Sequence, residues 1–181
     1  MENKYPKIRH LGDSETEGIF LDDVVVEEKI DGTNMSFYLE NGQLIFRSHN
    51  RILGNKTDEK IFANTAKFIT QKFEQNPQFF DPSVIYFCEG MVKHTISYDW
   101  DKTPPCVGFD VLDKNTKMFF NYKIAKSMFE KIGVSFVKIL QEKRGQDIKI
   151  EELKQMVEIL KSEYGEQAEG VCIKNYARLN Q

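Results

Sequence analysis

The 181 residues are 40% hydrophobic and 29% charged, enough for one domain with its own core and too apolar for a disordered chain. A formal net charge of −3 excludes a protein that coats nucleic acid through bulk positive charge, while leaving room for a local basic surface that meets strand ends. Apolar runs are too short to span a bilayer, and the N-terminus lacks a signal-like apolar stretch, so a cytoplasmic protein with no membrane partner is expected.

In chain order, the β-branched run 24–29 (VVVEEK) predicts a strand. Segments 34–40 and 43–48 flank Asn41-Gly42, a pair that favours a two-residue hairpin turn because both positions tolerate positive φ. A helix follows over 58–75, with Thr57 or Asp58 as its cap and Ile61, Phe62, Phe68, Ile69 and Phe73 as its buried stripe. Strands are expected at 84–89, 106–112 and 117–120, the last two joined by a turn at Lys114-Asn115.

A second helix is expected over 122–132, capped by Asn121 and stopped by Gly133, with Ala125, Met128, Phe129 and Ile132 inward. Strand 134–140, a helix over 150–163 with Leu153, Met156, Val157 and Leu160 inward, and strand 169–175 complete the chain. Hairpin-linked strands with interspersed helices indicate an α+β domain of antiparallel sheets rather than a doubly wound parallel one. Cys88, Cys106 and Cys172 are widely spaced in apolar segments with no C-x-x-C pair. They read as small buried hydrophobes in a reducing compartment, neither a disulfide framework nor a zinc site.

The segment Glu27-Glu28-Lys29-Ile30-Asp31-Gly32-Thr33-Asn34 carries the chemistry. Lysine is a nucleophile only as the free amine, a form that burial or a neighbouring cation favours. Asp31 and Gly32 suit a tight turn that brings backbone close to a phosphate-bearing ligand. K-x-D-G alone is a short pattern that also arises by chance.

EKIDGTN resembles motif I of the covalent nucleotidyltransferases, which comprise ATP-dependent DNA and RNA ligases and messenger-RNA capping enzymes. The string is most similar to the phage and kinetoplastid RNA ligases. Arg47-Ser48-His49-Asn50-Arg51 resembles motif Ia, Phe87-Cys88-Glu89-Gly90 motif III, Val107-Gly108-Phe109-Asp110 motif IIIa and Glu169-Gly170-Val171-Cys172-Ile173-Lys174 motif IV. These elements follow the family's order over residues 27–174.

The resemblance implies a ligase-like nucleotidyltransferase domain of antiparallel sheets flanked by helices, with a nucleotide pocket between the sheets. Lys29 would attack the α-phosphorus of ATP and carry AMP, activating a 5′-phosphate of RNA for sealing. Glu28, Ile30, Asn34, Arg51, Glu89, Phe109 and Lys174 would bind the nucleotide, with Phe109 stacked on adenine and Lys174 near the α-phosphate. Glu89 and Glu169 would hold Mg²⁺. Arg47 and Arg51 offer planar donor forks to phosphate, and His49 and His94 read as surface or hydrogen-bonded residues.

The family's next motif, a K-x-K pair at the α-phosphate, has no counterpart in the last residues, Tyr176 to Gln181. Residues 1–181 are therefore expected to be a single adenylation domain that stops before motif V and any C-terminal domain. Two further readings stay open: a DNA ligase or capping-type nucleotidyltransferase, and a nucleotide- or RNA-end-binding module without catalysis.

Overall fold

The computed structural model describes residues 4–53, 60–93 and 95–180. Among these residues nine strands form two sheets. β1 (Asp23–Lys29) is the centre of a three-stranded sheet, between β8 (Ile139–Arg144) and β9 (Gly170–Lys174). The six-stranded sheet runs β4 (Ile52–Leu53), β3 (Gln43–Ser48), β2 (Thr33–Glu40), β5 (Val84–Gly90), β6 (Cys106–Asp113), β7 (Ser135–Phe136). Every pairing is antiparallel except β6 with β7.

Asn41 and Gly42 both take positive φ, 50° and 76°, and turn β2 into β3 with the register the alternation of Met35, Phe37 and Leu39 demands. Met35 and Phe37 lie fully buried. They join the main core, which fills the space between the six-stranded sheet and helices α1 (Lys60–Gln75) and α2 (Tyr122–Lys131). Asn121 caps α2, accepting from the Lys123 and Ile124 amides at 3.1 Å, and Gly133 (φ 72°) follows its end.

On α1 the buried positions are Phe62, Thr65, Ala66 and Ile69. Ile61, expected inward, is 47% exposed, because a stripe centred on 62, 66 and 69 turns its neighbour outward. The caps expected at Thr57 and Asp58 lie outside the described residues.

Three expectations change. Segment 117–120 makes only a bridge between Leu112 and Phe119. The Asp113 amide bonds Met118 O and the Phe120 amide bonds Val111 O, both at 3.0 Å, and the Phe119 amide and carbonyl meet the Asn180 side chain at 2.6 and 3.0 Å. The single strand expected over 134–140 is two, divided between sheets: the Val137 amide bonds Gly108 O at 2.8 Å, and the Lys138 carbonyl accepts from Glu28 N at 3.0 Å. Here the chain steps from one sheet to the other.

The last long helix, α3, spans Ile150–Ile159 rather than 150–163. Leu160 is extended and its carbonyl accepts from Ala168 N at 3.1 Å, so the segment after it packs as loop. Only Leu153 is buried within it. Strand β4 and a short terminal helix α4 (Tyr176–Leu179), whose Asn175 cap accepts from the Arg178 amide, were not expected. No helix among the described residues is long and apolar enough to cross a membrane.

Candidate active site

Lys29 is the last residue of β1 and faces Gly170 on β9, which sets Glu169 beside it. The Lys29 ammonium is ion-paired with the Glu169 carboxylate, each side chain about one-third exposed. The next three residues turn the chain from one sheet into the other. Gly32 is needed there for proximity: a Cβ would stand 2.5 Å from the Gly90 carbonyl and 2.9 Å from Glu89 Cγ.

From that contact β2 pairs with β5, placing Asn34 opposite Glu89. Burial raises the Glu89 carboxyl to about 8; Lys29 opposes the shift, while the Glu169 and Asp31 charges add to it. Residues far apart in sequence (29, 89 and 169) thus meet at one electrostatic centre.

A cavity of about 200 Å³ opens beside it. Of the residues predicted to bind nucleotide, Glu28, Lys29, Ile30, Asn34, Glu89, Phe109 and Lys174 all line it. Its volume is below the roughly 300–1,000 Å³ of a full small-molecule site, so it has room for only part of a ligand of nucleotide size. Two buried carboxylate oxygens in its wall, Glu27 Oε2 and Glu28 Oε1, have no hydrogen-bond partner and await a donor.

Residues 22–180 match the RNA ligase family. The chain belongs to that family. It is similar in fold to the Naegleria gruberi RNA ligase E227A mutant with ATP and Mn (14% identity, TM-score 0.71, 95% of this chain and 52% of that one). It is also similar to the Naegleria gruberi RNA ligase with PPi (15%, TM-score 0.67, 96% and 55%). An archaeal ATP-dependent RNA ligase matches likewise (20%, TM-score 0.67, 96% and 45%). The chain spans about half the length of the structures it matches. No protein of curated function matches it in sequence. The α+β fold of antiparallel sheets expected from the sequence is the fold of these RNA ligases.

In this RNA ligase-family chain Lys174 is more firmly held than a free phosphate ligand would be. Strand alternation turns Cys172 and Lys174 to the cavity and Val171 and Ile173 to the groove behind. The Lys174 ammonium lies 2.6 Å from Glu27 and 2.7 Å from Asp110, and donates to the Phe109 carbonyl at 3.0 Å. Asp110 also accepts from Tyr5 at 2.5 Å and Tyr176 at 2.8 Å. Burial opposes the charge on Lys174, but the two carboxylates outweigh it and hold its pKa above the usual lysine range. Burial likewise lifts Glu27 to about 7, against the pull of Lys174.

Sequence reasoning missed Tyr5, Ile8 and Glu27 as cavity residues. Tyr5 meets Phe109 edge-on at 4.9 Å, although it lies outside the family match and within no periodic segment. The role of Asp31 is also larger than a turn former: its carboxylate accepts from the Thr95 and Ile96 amides at 2.8 and 2.5 Å, and its own amide donates to the Tyr98 hydroxyl at 2.8 Å.

Arg51 does not line the cavity; it is exposed in the β3–β4 turn, with backbone bonds to Ser48 at 2.9 and 3.2 Å. Arg47 sits on β3 opposite Ser36, with a buried Nε that lacks a hydrogen bond. His49 is exposed in the same turn, and His94 lies outside the described residues.

Among the described residues no group of three or more acidic, histidine or cysteine side chains forms a metal cage. Two carboxylates, Glu89 and Glu169, do face Lys29. That donor set fits a hard divalent ion whose remaining ligands are phosphate oxygens and water. The raised Glu89 is the group such a cation would bring back to its ionised form.

Proposed function

We propose that this chain is the adenylation domain of an ATP-dependent RNA ligase, with Lys29 as the nucleophile. The observation that carries the reading is the convergence of Lys29, Glu89 and Glu169 at the mouth of a cavity whose inner wall has unpartnered acceptors. Two fold relatives, a Naegleria gruberi RNA ligase mutant with ATP and Mn and the same ligase with PPi, support nucleotide and divalent metal as ligands here.

The adenosine would enter beside Phe109, with the phosphates toward Lys29. Glu169, the ion-pair partner of the ammonium, is positioned to accept its proton. The free amine attacks the α-phosphorus and forms a nitrogen–phosphorus bond. The bond to the bridging oxygen breaks, and pyrophosphate leaves with the electron pair. Glu89 and Glu169 would hold Mg²⁺, which supplies neutralisation of phosphate charge. The AMP then passes to a 5′-phosphate, and attack of a 3′-hydroxyl on that activated end joins the strand and releases AMP. RNA ends are the partner, and a reducing compartment such as the cytoplasm suits three unpaired cysteines.

The test is sealing of a nicked RNA duplex carrying a 5′-phosphate, with ATP and Mg²⁺. Adenylylated ends and joined product are expected with ATP, and neither with GTP. A chain that transfers guanylate, or joins nicked DNA in preference to RNA, contradicts the reading.

A further inference from the structure

Trp100 is the only tryptophan in the chain, and 43% of it is exposed. It is not on a loose loop. On its N-terminal side the Asp99 amide bonds the Tyr164 carbonyl at 2.7 Å, and Tyr98 bridges to Gly165. On the other side the Lys102 and Thr103 amides both return to Asp99 O at 3.0 Å, and Asp99 Oδ1 accepts from the Asp101 amide at 3.3 Å. The indole meets the Tyr98 ring edge to face, centroids 6.1 Å apart at 79°.

Tyr98 is buried, and its hydroxyl accepts from the Asp31 amide, two residues past the nucleophile. Asp31 in turn holds the Thr95 and Ile96 amides. An exposed indole is therefore fastened, through a single buried ring, to the turn that carries Lys29. More than half of the residue is covered, and its free face is held at a fixed position by these bonds.

The charges around it narrow the ligand. Lys93 and Lys102 are exposed nearby, but Asp99 and Asp101 offset them, and Lys102 is already paired with Asp99 at 2.8 Å. The loop offers a strand an aromatic face rather than phosphate contacts. We propose that Trp100 is a stacking platform for an unpaired base of the RNA strand whose end is presented to Lys29. The inference rests on the ligase reading for the identity of the strand, and adds a base contact on the segment tied through Tyr98 to the turn after Lys29. Stacking tolerates any base, since each has a π face, and it does not release counterions.

Because Trp100 is the sole indole, its emission reports the contact directly. The full chain would be titrated with a short, adenine-free, 5′-phosphorylated oligoribonucleotide. Affinity would be followed separately by anisotropy of a 3′-labelled copy, and lysyl-AMP formation by mass in parallel. A saturable change in emission that tracks binding is expected. Trp100→Phe should stay within about threefold of the parent affinity, and Trp100→Leu should weaken it about tenfold, by a ratio unchanged between low and high salt.

Emission that stays constant while the oligonucleotide binds overturns the proposal, as does a folded Trp100→Leu variant with the parent affinity. Failure of the oligonucleotide to bind overturns it as well. If Trp100→Leu does not fold, the emission titration of the parent decides alone. Loss of the AMP adduct in the parent chain is a separate result, which counts against the ligase reading itself.

Discussion

Glu89 carries a titration that activity can report. Its carboxyl is raised to about 8, chiefly by burial, so below that pH it is largely neutral and a weak ligand for a cation. The rate of lysyl-AMP formation should climb as pH rises toward 8, and the climb should move to lower pH as Mg²⁺ concentration increases. Glu89→Gln should flatten the profile and lower the rate; an unchanged profile in that variant would assign the titration elsewhere. Stability runs the other way. Glu89 and Glu27 keep protons in the folded chain that the unfolded chain gives up, so the melting temperature of the metal-free protein should fall as pH rises from about 4.5 to 8.

Lys174 is the other residue whose removal has a definite sign. Replacing it with Met leaves Glu27 and Asp110 buried without their cation. A loss of about 3–5 kcal/mol in urea unfolding is expected, as for other broken buried pairs. A loss below about 1 kcal/mol would show that the two carboxylates take up protons or water at little cost. The sequence places Lys174 on the cavity side of its strand by alternation, but not its two acidic partners, which come from other strands. Tyr5 was illegible for the same reason: nothing in its neighbours marks it, and its contacts are with residues about a hundred positions away.

Elements with local chemistry were readable. Asn41-Gly42 dictates its turn, Asn121 and Gly133 bracket their helix, and the alternation of 35, 37 and 39 gives the strand's buried face. Where tertiary contacts override local pattern, the reading failed. Segment 134–140 looks like one strand, but its backbone serves two sheets, and 117–120 makes two backbone bonds to β6 and two to the Asn180 side chain without extending into a strand. The helix at 150 is shorter than its apolar residues suggest because only Leu153 finds a core. Gly32 belongs to this scale as well: Gly32→Ala forces apart the turn and β5, whose carbonyl is 2.5 Å from the added methyl. About 1–3 kcal/mol of destabilisation and a fall in lysyl-AMP formation are expected, read by urea unfolding and a single-turnover assay. A variant with parent stability and parent rate would show that the two sheets separate there without consequence.

Across the whole molecule, the site is a product of topology. One sheet supplies Lys29 and, just before β9, Glu169; the other supplies Asn34, Glu89 and Phe109. The chain crosses between them at the turn after Lys29 and again at residues 137–138. The order of motifs along the sequence was enough to name this set, because the motifs lie on or beside strands that converge. It was not enough to show that Arg51 stays outside the cavity or that Lys174 arrives already paired.

Whether the convergence makes Lys29 a covalent nucleophile is decided by intact-mass spectrometry after incubation with ATP and Mg²⁺, followed by mapping of the modified peptide. One added AMP, located on Lys29, absent with GTP and absent in Lys29→Ala, is the expected result. An adduct on another lysine, or none when ATP is shown to bind, would contradict the assignment of Lys29 and leave a nucleotide-binding domain without the first step of ligation.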